Sequence, residues 1–447
     1  MTKHYDLTVV GSGTAAAAAA NRCRSAGWRV AVVDHQPFGG TCALRGCDPK
    51  KVLVGAAEAL DHASRMLGKG LAGKPRIGWG ELIAFKRTFT EPVPASREKS
   101  FAGAGIDAFH GRARFLGPGR LEVGGSAIES RFILLAVGAT PVPLRIPGEE
   151  HVVTSTEFLE LDRLPSRIVL IGGGYIAAEF AHIAARAGAA VTILQRGDRL
   201  LTRFDPDLVG WLMPKFAEIG VDVRLRMPVT AVEKQRERLV VHARTDGEER
   251  FEADLVVHAA GRAPDLESLD LAEGGVESER GRLRLNDFLQ STSNAAVYAA
   301  GDAAAKGPPL TPVAAQDGRI AAANMLKGNH QTPNYIGIPS VAFTIPPIAS
   351  VGLAEKQAGE QGRKFRVVQQ QASDWYTARR VAERVYGFKV LIEDDTDRIL
   401  GAHLVGPEVE HVIDIFALAI RNGLTAEDLR NAIFAYPTGA SDISSML

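Results

Sequence analysis

Asp6-Leu7-Thr8-Val9-Val10-Gly11-Ser12-Gly13-Thr14-Ala15-Ala16 is the stretch that decides the fold. Its apolar run predicts a buried strand, and the glycine turn that follows predicts the opening of a helix. Arg29-Val30-Ala31-Val32-Val33 predicts the next strand, ending at Asp34. The same pattern is written again downstream. Arg167-Ile168-Val169-Leu170-Ile171 leads into Gly172-Gly173-Gly174-Tyr175-Ile176-Ala177, and Ala190-Val191-Thr192-Ile193-Leu194 then ends at Gln195. The spacing from first glycine to strand-end residue is 23 in both copies (34 − 11 and 195 − 172). Two βαβ nucleotide-binding units are therefore expected. In each, the first glycine allows the tight turn, the second lets backbone approach a pyrophosphate, and a small third position packs helix on sheet. The phosphates belong at the helix N-terminus, where free N–H groups favour anions.

The strand-end residues assign the nucleotides. Asp34 can accept hydrogen bonds from a ribose 2′-OH, as an FAD or NAD site requires. Gln195 is neutral and is followed by Arg196, Arg199 and Arg203, which suits a 2′-phosphate because arginine binds phosphate bidentately. FAD is thus expected in the first unit, on Gly11, Gly13, Thr14, Ala15 and Asp34. NADPH, with NADH as the lesser option, is expected in the second, on Gly172, Gly174, Tyr175, Ile176, Gln195 and Arg196. The alternative is that these arginines only solvate a loop. Phe132–Pro141, containing Gly138, echoes Leu255–Pro264, containing Gly261, and each predicts a strand closing one nucleotide domain at a glycine turn. The expected architecture is α/β. Residues 1–145 and 266–330 form a Rossmann-like FAD-binding domain and 146–265 a Rossmann-like NAD(P)H-binding domain. Residues 331–447 form an α+β domain without a glycine fingerprint.

Bulk composition sets the limits. The chain has 447 residues, enough for two to four domains, and 52 basic against 52 acidic side chains. A net charge of zero offers nucleic acid or an anionic membrane no electrostatic attraction. The first residues show no basic-then-apolar leader pattern, and the run Ala15–Ala20 is far too short to span a bilayer. Three cysteines are too few for a secreted disulfide scaffold. A cytoplasmic protein with no membrane partner is expected.

Two of those cysteines stand in Gly39-Gly40-Thr41-Cys42-Ala43-Leu44-Arg45-Gly46-Cys47-Asp48-Pro49-Lys50-Lys51. Five residues of regular helix would separate Cys42 and Cys47 by about 7.5 Å along the axis. That exceeds the roughly 7 Å Cα limit for a disulfide. A bridge needs an irregular turn, which Gly39, Gly40 and Gly46 allow. Asp48 and Pro49 fit an N-cap and first helical position, putting Cys47 just outside a helix N-terminus with Lys50 and Lys51 in the first turn. Both effects favour the thiolate, and Arg45 adds to them while Asp48 opposes. A structural disulfide does not suit a cytosolic chain. A metal site lacks a ligand set, since only Cys23 and scattered histidines remain.

Gly-Gly-Thr-Cys-x4-Cys-x-Pro-Lys-Lys after such a fingerprint resembles the flavoprotein disulfide reductases, the group of glutathione reductase, dihydrolipoamide dehydrogenase and mercuric reductase. The resemblance continues through Gly172–Glu179, Tyr298–Asp302, Leu310–Ala314 and Val341–Gly352, and so covers essentially the whole chain. It implies that Cys47 is the flavin-facing thiol and Cys42 the interchange thiol. It implies that Lys50 or Lys51 lies near the flavin and pairs with Glu179, and that Tyr175 covers the nicotinamide pocket. Gly40, Thr41, Gly138, Asp302 and Ala314 join the FAD residues, Asp302 at the ribityl chain, and Gly261 joins the NAD(P) residues. The third domain becomes the dimerisation domain of a homodimer.

One departure stands out. Disulfide-reducing relatives carry His-Pro-Thr-x-x-Glu near the C-terminus, whereas this chain has Tyr436-Pro437-Thr438-Gly439-Ala440-Ser441. Tyrosine, with a pKa of about 10, is a poor base at neutral pH, though it can donate a proton. Mercuric reductase is similar in having tyrosine there, but it adds a vicinal cysteine pair where this chain ends Ser444-Ser445-Met446-Leu447. The expected function is electron transfer from NAD(P)H through FAD and the Cys42–Cys47 pair to a small-molecule disulfide. The alternatives are a metal ion of the mercuric kind, a quinone or dioxygen, or a protein-borne disulfide served as a lipoamide dehydrogenase serves one.

Overall fold

The computed structural model describes residues 2–245 and 247–447. The chain divides into two compact units. One holds the residues up to Lys50 with Phe85–Val142 and Arg262–Tyr335; the other holds Lys51–Ala84, Pro143–Gly261 and Ile336–Leu447.

The first unit is built on a seven-stranded mixed sheet whose strands around the first fingerprint run parallel. β1 (Lys3–Val10) lies between β2 (Val30–Asp34) and the strand Ser126–Leu135. Strand Asp107–His110 extends the β2 side, and Val297–Ala299 pairs in parallel with Ser126–Leu135. Val10 is in register with both Val33 and Leu135, so three strands end together at one lip. Ligands bind at such carboxyl ends in open α/β sheets. β1 reads as a continuous apolar run because both faces are covered, with Leu7, Val9 and Val10 all buried. α1 (Thr14–Ser25) buries five alanines, Ala15, Ala16, Ala17, Ala19 and Ala20. Alanine has the highest helix propensity, and its small side chain lets a second helix come close. That helix is Thr311–Lys327, where a Cβ on Gly318 would sit 2.3 Å from the carbonyl oxygen of Ala15.

The second unit contains three sheets. The four-stranded parallel sheet runs Val221–Leu225, Ala190–Gln195, Arg167–Ile171, Leu255–His258. A three-stranded antiparallel sheet spans Val229–Ala253. A five-stranded antiparallel sheet, Ser340–Ala342 through Ile399–Val405, carries the helix Val409–Asn422. Asp61 lies on α3 (Cys47–Arg65), in the part of that helix belonging to this unit, and binds Arg186 at 2.7 Å and Lys215 at 3.5 Å. Burial alone would raise its carboxyl pKa, yet Arg186, Lys215 and Arg65 together hold it low. These pairs tie α3 to the helices Tyr175–Arg186 and Pro206–Glu218. Among the described residues no helix is long and apolar enough to cross a membrane.

Candidate active site

The redox segment belongs to the first unit. Gly40 opens α2 (Gly40–Arg45) with a φ of 76°, and a Cβ there would stand 2.5 Å from the Cα of Gly13. The loop bearing the cysteines therefore lies directly on the first fingerprint, and glycine is required at the contact. α2 stops at Gly46 and α3 starts at Cys47, so the irregular break expected between the cysteines is a junction of two helices. The helix start differs from the sequence expectation. Cys47 is inside α3, because the Lys50 N–H donates to the Gly46 carbonyl and closes a turn earlier than an Asp48 cap would. Pro49 is tolerated so near the start because first-turn N–H groups have no helical acceptor.

Both thiols are free, Cys42 half-buried and Cys47 exposed. The Cys42 thiol donates a hydrogen bond to Cys47, and this most of all draws the Cys47 pKa down to about 6. Surrounding protein opposes that shift, while Thr311 and Lys50 support it. Thr311 Oγ1 lies 3.5 Å from Cys47 Sγ. Cys42 moves the opposite way, its proton held by the bond to Cys47 and by desolvation. Asp48 Oδ1, 3.9 Å from Cys42 Sγ, adds to that. One sulfur is thus a thiolate at neutral pH and its neighbour a proton donor.

Gly11 has a φ of 109°, and a Cβ on it would fall 2.2 Å from the Ala136 carbonyl oxygen. Gly13 caps α1 without any side-chain hydrogen bond. Asp34 Oδ2 accepts from the Ser12 backbone N–H at 2.9 Å and its hydroxyl at 2.7 Å, while Oδ1 accepts from Gln36 N–H at 2.9 Å. Asp302 is largely desolvated, which raises its pKa, and Arg262 partly offsets this. Gly138 stands at the end of the Ser126–Leu135 strand with a φ of 71°, and its carbonyl accepts from Asp265. Thr41 lies in α2, and Ala314 lies in the helix Thr311–Lys327 against Gly301. A close-approach glycine turn, an uncapped helix start and an acidic strand end together fit FAD.

The corresponding turn of the second unit has the same backbone. Gly172 has a φ of 118°, and a Cβ on it would fall 2.3 Å from the Ala259 carbonyl oxygen. Gly174 caps the helix Tyr175–Arg186 without a side-chain bond. Tyr175 is exposed, and Ile176 is half-buried beside it. Gln195 turns inward and donates from Nε2 to the Arg199 carbonyl at 3.1 Å. Arg199 donates to the carbonyls of Phe204 and Thr202, at 3.3 and 2.9 Å. Its guanidinium is thus bound to the loop itself, while Arg196 and Arg203 are exposed. Gly261 follows the last parallel strand with a φ of 119°. Glu179 is buried and accepts from the Phe343 N–H at 2.8 Å. Lys51 binds Glu58 at 2.9 Å and lies over the Phe343 ring, 4.3 Å from its centre. Tyr436 is 82% exposed. Ser441 donates to the Thr438 carbonyl at 2.6 Å and accepts from its N–H at 3.3 Å, a local cap in place of a side-chain orienter.

Sequence reasoning did not single out Thr311, Ser12 or Asp317. The signal for Thr311 was present as Leu310-Thr311-Pro312, a helix start with proline in its first turn. Ser12 and Asp317 carry no such signal.

The Pyridine nucleotide-disulphide oxidoreductase family profile matches residues 5–318. The dimerisation domain of the same family matches residues 338–447. Mercuric reductase of Staphylococcus aureus is 34% identical over 449 residues, covering 98% of this chain and 81% of that protein. Glutathione reductase of Burkholderia cepacia is 32% identical, covering 99% and 98%. The HOCl-induced flavoprotein disulfide reductase RclA from Escherichia coli, solved as a Cu(II) complex, superposes with a TM-score of 0.89 at 29% identity, covering 100% of this chain and 99% of that one. Fingerprints, dithiol and C-terminal domain all agree: the chain belongs to the pyridine nucleotide-disulphide oxidoreductase family and is an FAD- and NAD(P)H-dependent flavoprotein of the disulfide reductase type.

Proposed function

We propose that this enzyme takes electrons from NADPH in preference to NADH and delivers them through Cys42 and Cys47 to a small disulfide. The observation that carries this reading is the opposed state of the two sulfurs, with Cys47 drawn down to about 6 by the Cys42 hydrogen bond. Bound FAD supplies the two-electron chemistry that links nicotinamide to the cysteine pair. In the reduced enzyme the Cys42 proton passes to Cys47 Sγ as the Cys42 sulfur attacks the substrate. A Cys42–substrate disulfide forms, the substrate S–S bond breaks, and the first product leaves with a proton. Cys47 then gives its proton to solvent and attacks Cys42, forming Cys42–Cys47 and expelling the second product as a thiolate, which takes a proton from solvent. Thr311 and Lys50 hold the Cys47 thiolate before the first step and again as it attacks Cys42. Tyr436 donates the proton to the leaving sulfur, a role open to a phenol that is too weak a base to abstract one. FAD is assigned to residues 1–145 and 266–330, NADPH to 146–265 and the homodimer interface to 331–447.

A soft metal ion is the second reading. It is favoured by Tyr436 in place of the histidine base, by relatives named mercuric reductase, and by RclA, solved with Cu(II). A metal acceptor needs no protonated leaving thiol.

Anaerobic titration tests the scheme. NADPH should bleach the flavin and raise a long-wavelength thiolate band, at lower concentration than NADH. That band should fade as pH drops through about 6, because protonation of Cys47 removes the thiolate. Cys47→Ser should abolish it and slow acceptor turnover by roughly a thousandfold or more. A wild-type enzyme without the band, or a Cys47→Ser variant that keeps it, overturns the relay. Tyr436→Phe should slow disulfide turnover but leave flavin reduction by NADPH unchanged. Faster turnover with Cu(II) or Hg(II) than with any disulfide selects the second reading.

A further inference from the structure

Within the first unit, one buried carboxylate serves none of the steps above. Asp317 lies in the helix Thr311–Lys327 and is 1% exposed. Its Oδ2 accepts from the Gly301 backbone N–H at 3.2 Å, and its Oδ1 accepts from the Tyr335 hydroxyl at 2.9 Å. Among the described residues it has no ion pair with a cation. Burying a carboxylate without one is costly. Two donors converge on its two oxygens, and only an acceptor-only group satisfies both. An asparagine would turn its own N–H2 toward one of them.

The place of this carboxylate gives it a role. Gly301 adopts a left-handed φ of 65° and begins the turn Gly301–Ala303, which presents Asp302. Asp302 is the residue assigned to the flavin ribityl chain, so the argument rests on the FAD reading of this unit. The next residue in the helix, Gly318, is pressed against Ala15 of α1, which fixes the helix against the fingerprint. The charge behind the turn is also set here. Asp317 is raised to about 6, chiefly by burial, with Asp302 contributing and the two hydrogen bonds resisting. The titratable groups facing it are Asp302 from the turn, itself eased by Arg262, and Tyr335 from the segment after the helix. The helix α1 presents backbone, and Tyr298 of the neighbouring strand directs its hydroxyl to Asn329.

We infer that Asp317, with Tyr335, is a positioning residue of the flavin site that fixes the Gly301–Ala303 turn and sets the charge behind it, controlling both flavin retention and flavin reduction potential. A negative charge near a flavin disfavours its reduction. The effect is present above pH 6, where Asp317 is ionised, and disappears below, where it is protonated.

The test uses purified holoenzyme of wild type, Asp317→Asn, Asp317→Glu and Tyr335→Phe. Flavin is stripped and rebinding is followed by fluorescence quenching, and the flavin midpoint potential is measured from pH 5 to 8. Asp317→Asn should weaken FAD binding about tenfold. Its potential should lie above wild type at pH 8 and meet it at pH 5. Asp317→Glu should restore most of both. Tyr335→Phe, which keeps the carboxylate but removes one donor, should move the pH at which the curves meet upward. Weaker binding with a potential equal to wild type at every pH would mean a purely structural role and would overturn the inference. So would unchanged binding and potential in a folded Asp317→Asn. Should Asp317→Asn fail to fold, Tyr335→Phe against wild type decides: its potential should bend at a higher pH than wild type, and an unchanged bend would overturn the inference. A wild-type protein that binds no flavin would instead overturn the FAD reading itself.

Discussion

The two glycine turns are alike in backbone and unlike in side chain. Gly11 and Gly172 share a left-handed φ, 109° and 118°, and the same near-collision with a strand-end carbonyl, 2.2 and 2.3 Å from a Cβ they lack. Ala16 and Ala177 fill the same small third position and are both fully buried. The strand-end residues then part. Asp34 is braced by Ser12 and Gln36, whereas Gln195 is a neutral amide folded onto the Arg199 carbonyl. On the function proposed above, the shared backbone accounts for a dinucleotide at each turn and the strand-end side chain for which one.

The strongest way to break the comparison is to add a methyl group to each turn. A left-handed φ costs an alanine about 1–2 kcal/mol, and overpacking adds roughly 1–3 kcal/mol. Gly11→Ala should yield protein without flavin, visible as loss of yellow colour. Gly172→Ala should stay yellow yet fail to bleach with NADPH. Equal loss of colour in both would mean that the two turns are not independent. A smaller effect sharpens the side-chain difference. Gln195→Glu should lower the NADPH/NADH ratio of kcat/KM at least tenfold, about 1.4 kcal/mol, by setting a carboxylate against the 2′-phosphate. An unchanged ratio would assign discrimination to Arg196 and Arg203 alone. The smallest change is Ser12→Ala. The Ser12 hydroxyl donates to Asp34 at 2.7 Å and accepts from the Gly39 N–H at 3.1 Å. Its loss should cost about 0.5–1 kcal/mol, read as a lower temperature of flavin release. The second turn has no counterpart to this latch, and its stability should not depend on the residue at Gly173 in the same way.

What could be read in advance follows from the same contrast. The 23-residue spacing was legible because glycine at a left-handed, crowded position has no substitute. The break between the cysteines was legible because a disulfide cannot span five residues of regular helix. The start of α3 was misplaced because Asp48-Pro49 fits a cap and first turn as well as it fits the second and third helical positions. That Arg199 spends its guanidinium on Thr202 and Phe204 could not be seen, since nothing in a row of arginines tells which will find a carbonyl. Asp317 reads as one more surface acid on a polar stretch of helix. Only the docking of that helix against Ala15 turns it inward.

The contact between Cys47 and Thr311 joins residues 264 positions apart. At a synthesis rate of roughly 5–20 residues per second, Thr311 emerges about 13–53 s after Cys47. Until then the helix that Thr311 begins does not exist, and Cys47 lacks one of the donors that lower its pKa. The full set of donors around Cys47 is therefore complete only once most of the polypeptide has been made.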